Sequence, residues 1–288
     1  MNYEQFICTM QECINRELQE TAWAERQEVL KNNGVTLSGV AIRRKGEAIA
    51  PLIYLEEFYR KYLQGDTVEE LAKDLITYSE NAPSAPEWDY HSMLDFQKIK
   101  NQIVYKLVHA EKNAQMLKQV PHLPILDFVI VFYVLIPAQN HDCCSVLVKN
   151  EHLNMWKLPI SVLYQYAKEN TPRLCPEVFC SLADFAEKEG MEELAESPLY
   201  VLTNENGING AGVILYPGIP EKIYAHVGGN YFLLPSSIHE FLIVPDFGEI
   251  HPWKLLTMLR EINETQVEEE EVLSNHIYYF DGDIITKI

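Results

Sequence analysis

Apolar residues recur at spacings of three and four from Tyr3 to Glu20. Phe6, Ile7, Met10, Ile14 and Leu18 fall on one stripe with Glu and Gln opposite, which predicts an amphipathic helix. The following stretch, QEVLKNNGVTLSGVAIRR, has two strand-like arms about Asn33-Gly34, a pair that supplies the positive φ angles of a tight hairpin turn. Two helices are expected next, Ile53 to Leu63 and Thr67 to Glu80. They are separated by Gly65-Asp66, with Thr67 and Glu70 at capping-box spacing. Pro83 and Pro86 in SENAPSAPEWDYHS then predict a linker or long loop.

The middle of the chain begins with an expected helix near Ser92 to Gln102, continued by strand-like alternation in IVYKLVHAEKN. A short helix follows over Lys112 to Lys118. Phe128 to Ile136 carries β-branched and aromatic residues on both faces, as a strand buried from two sides does, and Cys144 to Val148 is expected to pair beside it. Asn150 opens a turn of helix carrying Met155 and Trp156. A further helix runs from Ser161 to Asn170 and is expected to close at Thr171-Pro172. Ala183 to Glu196 is acidic and weakly amphipathic, which fits a solvated helix or tether. In the last section LYVLT, GAGVILY, YFLLP, EFLIVP and HIYYF are candidate strands or buried segments, interleaved with helices at Ile219 to Val227 and Pro252 to Asn263.

This alternation predicts an α/β or α+β fold of mixed sheets with flanking helices, opened by a small N-terminal α+β unit. The expected organisation is a helix, hairpin and helix unit over 1–82, a middle section over 88–182 and a C-terminal section over 198–288. The last two are able to form one domain. No repeat of solenoid or propeller period is present.

Composition narrows the function classes. With 47% hydrophobic residues the 288-residue chain can build a real core, so global disorder is excluded. The net charge of −19 repels phosphate backbones and anionic lipid heads, so no nucleic-acid or membrane partner is expected. The longest apolar stretch, Ile125 to Pro137, contains Asp127 and is shorter than the roughly 20 residues of a spanning helix. The N-terminus lacks a basic start followed by an apolar run, and the six cysteines are sparse. A cytoplasmic chain with reduced thiols is the expectation.

Several strings stand together in order: VLKNNGV, YKLVHAEKN, FVIVFYVLI, HLNMW, AKENTPRL, YVLTN, LPSSIHE and REINETQV. Through them nearly the whole chain resembles the bacterial domain-of-unknown-function family 5688. HLNMW, AKEN and LPSSIHE are also distantly similar to a second uncharacterised bacterial family. The resemblance implies a bacterial cytosolic protein and supplies no activity, cofactor or catalytic residue. Where that family carries a longer acidic stretch this chain has AEKEGMEELAESP, which implies a spacer of variable length.

The candidate chemistry is concentrated in Pro235-Ser236-Ser237-Ile238-His239-Glu240. A nucleophilic serine needs a histidine base within hydrogen-bond reach and a carboxylate to orient it. Ser236 or Ser237, His239, and Glu240 or Asp246 are residues of those types. The competing reading is turn chemistry, with serine hydroxyls bonding backbone N–H groups, and no G-x-S-x-G elbow is present. His141, Asp142, Cys143, Cys144, Cys175 and Cys180 include soft metal ligands, but a vicinal cysteine pair is poor zinc geometry. The glycine-rich run Asn206 to Gly212 lacks a P-loop lysine and the G-x-G-x-x-G order. Arg43-Arg44-Lys45 is read as solubilising. Tyr54, Phe58, Tyr59 and Tyr62 form an aromatic cluster, read as core packing between two domains with a partner surface as the alternative. No cofactor and no metal site is expected. The leading expectation is action by binding, to a protein partner, to a further copy of the chain or to a small ligand. The alternative is a hydrolase-like enzyme using Ser237, His239 and Glu240.

Overall fold

The computed structural model describes residues 1–18, 22–45, 50–81, 90–136, 144–188 and 198–288. It is a mixed α+β structure of three antiparallel sheets with flanking helices. Contacts divide it into two units. One comprises Met1–Lys31 and Val35–Glu87, the other Asn32–Gly34 and Trp88–Ile288.

In the first unit, α1 (Tyr3–Glu17) starts at a capping box in which Asn2 and Gln5 exchange bonds. Its apolar stripe, Phe6, Ile7, Met10 and Ile14, is fully buried. The hairpin of β1 (Ala22–Leu30) and β2 (Thr36–Arg44) turns at Asn33 (φ 59°) and Gly34 (φ 75°), left-handed angles that asparagine and glycine adopt at least cost. Strand β3 (Leu52–Tyr54) joins the other side of β2. Ile53 and Tyr54 are therefore extended, not helical as their spacing predicts. The helix α2 begins only at Glu56 and ends at Gln64. The fit of Ile53 into the core shared with Val40, Ile42 and Leu55 overrides the local helical pattern. Helix α3 (Val68–Asn81) is preceded by the expected capping box between Thr67 and Glu70. Tyr59 and Tyr62 pack on Phe6 at ring-centroid distances of 5.2 and 5.3 Å, so this part of the aromatic cluster serves the unit's own core. Arg43 pairs with Glu25, and Arg44 reaches the Ser79 hydroxyl.

The second unit opens with a broken set of turns around α4 (Phe96–Ile99), followed by β4 (Ile103–His109), α5 (Ala114–Leu117) and β5 (His122–Ile125). Next comes β6 (Phe128–Ile136), which pairs with β4 on one side and on the other with β5 and then β7 (Cys144–Leu147). Phe128, Ile130, Phe132 and Val134 enter the main core while Val129 and Val131 enter a smaller one, which explains an apolar run without alternation. Helices α6 (Asn150–Trp156) and α7 (Ile160–Leu174) follow. Pro172 does not stop α7, because it lies in the last turn and Cys175 N–H still closes on the Thr171 carbonyl at 2.8 Å.

Strand β8 (Glu177–Ser181), α8 (Leu182–Lys188), β9 (Tyr200–Asn204), α9 (Ile219–Val227), β10 (Tyr231–Leu234), β11 (Phe241–Pro245), α10 (Pro252–Thr265), β12 (Tyr278–Phe280) and β13 (Ile285–Lys287) complete the unit. Its larger sheet runs β13-β12-β10-β11-β9-β8. Residues from both sheets and from α7 and α9 form one core around Phe132, Tyr231, Phe241 and Tyr278. GAGVILY is not a strand. Residues Gly210–Leu215 form a 3-10 helix that is buried from Gly210 to Ile214, and a short run enclosed on all sides leaves no period for sequence to read. Among the described residues no helix is long and apolar enough to cross a membrane.

Candidate functional site

Two connections of the larger sheet meet at one end of β9. The first, residues 205–209, leaves β9 and turns back through left-handed Gly207 (φ 64°) and Asn209 (φ 56°). The buried Asn204 side chain holds it from inside, donating to the Ile208 carbonyl (2.9 Å) and accepting from the Asn206 N–H (3.0 Å). The second is the β10–β11 connection carrying Pro235 to Glu240. Gly210 is where they touch. A Cβ there would lie 2.8 Å from the Asn204 nitrogen and closer still to the Thr203 hydroxyl and the His239 carbonyl oxygen. The Thr203 hydroxyl donates to the same carbonyl at 2.8 Å, and Ala211 N–H donates to the Ile238 carbonyl at 3.2 Å.

This packing brings Ser236, Ser237, His239 and Glu240 together, though not as a relay. Both serines are 4% exposed, and both donate to one oxygen, Glu240 Oε1, at 2.9 and 2.7 Å. Ser237 Oγ also accepts the His239 backbone N–H at 2.9 Å, a turn bond. The His239 ring points elsewhere. Its Nδ1 accepts the Asn209 N–H at 3.1 Å, and its Nε2 lies 3.3 Å from Glu271 Oε1. A backbone N–H can only donate, so Nδ1 is the acceptor and the ring proton sits on Nε2, facing a carboxylate. Both imidazole nitrogens are thus engaged, and neither faces a serine hydroxyl. Asp246 lies outside the group, accepting from the Tyr279 hydroxyl at 2.8 Å.

The outer side of this arrangement is an open cleft of about 310 Å³, lined by Ser237, His239, Glu240 and Glu271 together with Gly207, Gln266 and Val267. Two carboxylates border it, and no Lys or Arg is among its lining residues. Sequence reasoning missed Glu271. It stands in the acidic run Glu268 to Glu271, which reads as a solvated cluster, and 32 positions separate it from His239. Replacing His239 with alanine removes the acceptor for the Asn209 N–H and is expected to cost about 1–2 kcal/mol. Thermal melts of the variant check this, and an unchanged melting temperature contradicts it.

A second polar cluster gathers about Asp127, in the β5–β6 turn. Its carboxylate accepts from the Tyr278 hydroxyl, from His276 Nδ1 at 3.1 Å and from Lys287 Nζ at 3.4 Å, with the buried Ser274 hydroxyl 3.5 Å away. Burial works to raise the Asp127 pKa, yet the Tyr278 hydrogen bond and the Lys287 ammonium outweigh it and hold it below the usual carboxylate value. Burial, with the bond to Asp127, pushes the Tyr278 phenol far up. Burial lowers the pKa of nearby His109, whose Nδ1 accepts the Lys112 N–H. Four of these side chains, Ser274, His276, Tyr278 and Lys287, come from the last fifteen residues, about 150 positions from Asp127.

Of the metal candidates, His141, Asp142 and Cys143 lie outside the described residues. Cys144 is on β7, Cys180 on β8 and Cys175 at the end of α7. No cluster of three metal-ligating side chains occurs among the described residues.

The model of the Family of unknown function (DUF5688) matches residues 3–282. The chain belongs to this family. The match covers both units from α1 to β12, including both connections of the cleft. No curated protein and no solved structure matches the chain. The family contributes membership and no activity, so the functional reading rests on the cleft itself.

Proposed function

We propose that the protein acts by binding a protein partner, and that a basic side chain of this partner seats in the cleft beside Ser237, His239, Glu240 and Glu271. The observation that carries this reading is the charge of the lining, two carboxylates around an open recess with no Lys or Arg among the described residues that line it. A recess that is polar and open fits a side chain presented by another surface better than a small molecule, whose sites are enclosed and mostly apolar. The net charge of −19 favours basic partners and speeds their encounter. A cytoplasmic setting belongs to the same proposal.

The hydrolase-like alternative draws no support from this geometry. A serine is activated when a histidine nitrogen accepts its proton. Here the hydroxyl of Ser237 donates to Glu240, and the His239 nitrogens face Asn209 and Glu271.

The test is an amide-shift titration of the full chain with a short arginine-rich peptide and with its glutamate counterpart. Shifts at Gly207, Ser237, Gln266 and Val267 that appear only with the basic peptide, and vanish in Glu240→Gln/Glu271→Gln, are the expected result. Shifts scattered over the acidic surface, or persisting in the double variant, contradict it.

A further inference from the structure

Among the described residues, strand β1 is the outer strand of its sheet, and its edge is covered along only half its length. In an antiparallel pair, residues alternate between facing the partner strand and facing away. Lys31 N–H donates to the Val35 carbonyl at 2.7 Å, so the odd-numbered residues of this arm face β2. Ala24 has the opposite parity. Its N–H donates to Asn15 Oδ1 at 2.7 Å, and its carbonyl accepts from Gln11 Nε2 at 3.0 Å. Two side chains of α1 therefore cap the outer edge at Ala24. Arg26, Glu28 and Leu30 share its parity and present their N–H and C=O groups outward. Glu28 and Leu30 are exposed. An open edge of this kind is a template for a further strand.

The side chains select the strand. Arg26 already pairs with Glu28 at 2.7 Å and with Glu4 at 3.1 Å. When β1 is laid antiparallel beside a second β1, three registers join outward-facing residues near the centre. One sets Arg26 against Arg26 and another sets Glu28 against Glu28, both like-charge pairs that disfavour a sheet. The register centred on Gln27 sets Arg26 against Glu28 and Glu28 against Arg26. In that register the two α1 caps at Ala24 lie six residues apart along the ribbon, about 20 Å. That leaves room for helices of about 10–12 Å diameter.

We propose that β1 pairs antiparallel with β1 of a second copy of this chain, centred on Gln27, through four backbone hydrogen bonds and two Arg26–Glu28 ion pairs. The interface is isologous, as a two-fold dimer requires, and small, so association is weak and concentration-dependent. The proposal is independent of the cleft. Sedimentation of the full chain from about 10 µM to about 1 mM tests it, a range spanning weak association. The expected average mass rises toward twice 33.2 kDa. Arg26→Glu and Glu28→Arg each weaken the dimer at least about tenfold through like-charge opposition, and the charge-swapped double variant restores it. Glu28→Pro removes an outward N–H and the Glu28 carboxylate while leaving the β2 ladder intact, so it abolishes pairing. Its circular dichroism keeps the wild-type form. A constant mass of 33.2 kDa for the wild type overturns the proposal. So does a dimer that survives Glu28→Pro, or a folded double variant that stays monomeric.

Discussion

Replacing Gly210 with alanine is expected to destabilise the second unit by about 3 kcal/mol, the upper range for a group forced into a packed site. For a unit of this size that is a fall of roughly 6–12 °C in melting temperature. The new methyl group would meet the Asn204 nitrogen at 2.8 Å, with the Thr203 hydroxyl and the His239 carbonyl nearer still. Two of these three are backbone atoms that cannot rotate away, and they belong to β9 and to the β10–β11 connection. Relief requires the two connections to separate, which breaks the Thr203–His239 and Ala211–Ile238 hydrogen bonds. Gly207→Ala is the informative comparison. Nothing lies within 4 Å of a Cβ there, so its cost comes only from the left-handed φ of 64°, about 1–2 kcal/mol. Thermal melts followed by circular dichroism separate the two, and equal shifts for both variants contradict the packing argument.

Asp127→Ala is expected to cost about 2–3 kcal/mol, less than a fully buried charge network because the carboxylate side chain remains 19% exposed. The loss leaves the buried Tyr278 hydroxyl without its carboxylate acceptor and removes the ion pair of Lys287. The contribution has a definite pH dependence. Because the folded pKa is held below the ordinary carboxylate value of about 3.9, the stabilisation is complete above that value and is lost as pH falls through the folded one. Urea unfolding at pH 7 and at pH 3 therefore has a predicted pattern. The wild type exceeds the variant clearly at pH 7, and the gap narrows at pH 3. A gap that is constant with pH contradicts the assignment of this stability to the ionised carboxylate.

How much of this was legible in sequence depended on whether the deciding contacts were local. The stripe of α1, the Asn33-Gly34 turn and the Thr67–Glu70 capping box are fixed by residues within a turn of one another, and each has its expected form. Strand β6 was legible for another reason, since burial on both faces leaves an apolar signature that few other elements share. Ile53 and Tyr54 follow a helical spacing yet join β2, because what decides them is a strand more than ten residues away. The segment Gly210–Leu215 is a 3-10 helix packed against the β10–β11 connection, which is remote in sequence.

The same distinction governs the candidate site. Ser236, Ser237, His239 and Glu240 were visible as one string, and the structure does bring them together. Their roles were not visible, because the orientation of the His239 ring is set by Asn209 and Glu271, 30 and 32 positions away. Asp127 appeared in sequence only as an interruption of an apolar run. Its partners Ser274, His276, Tyr278 and Lys287 enter from the far end of the chain.

The site turns on one proton, because the Asn209 N–H at Nδ1 and the Glu271 carboxylate beside Nε2 together fix one tautomer of His239. Nitrogen-15 chemical shifts of the His239 ring in the free full chain, read through two-bond proton couplings, distinguish the two tautomers. The account predicts a proton on Nε2 and an unprotonated, hydrogen-bonded Nδ1. A ring protonated at Nδ1 with a free Nε2 contradicts it.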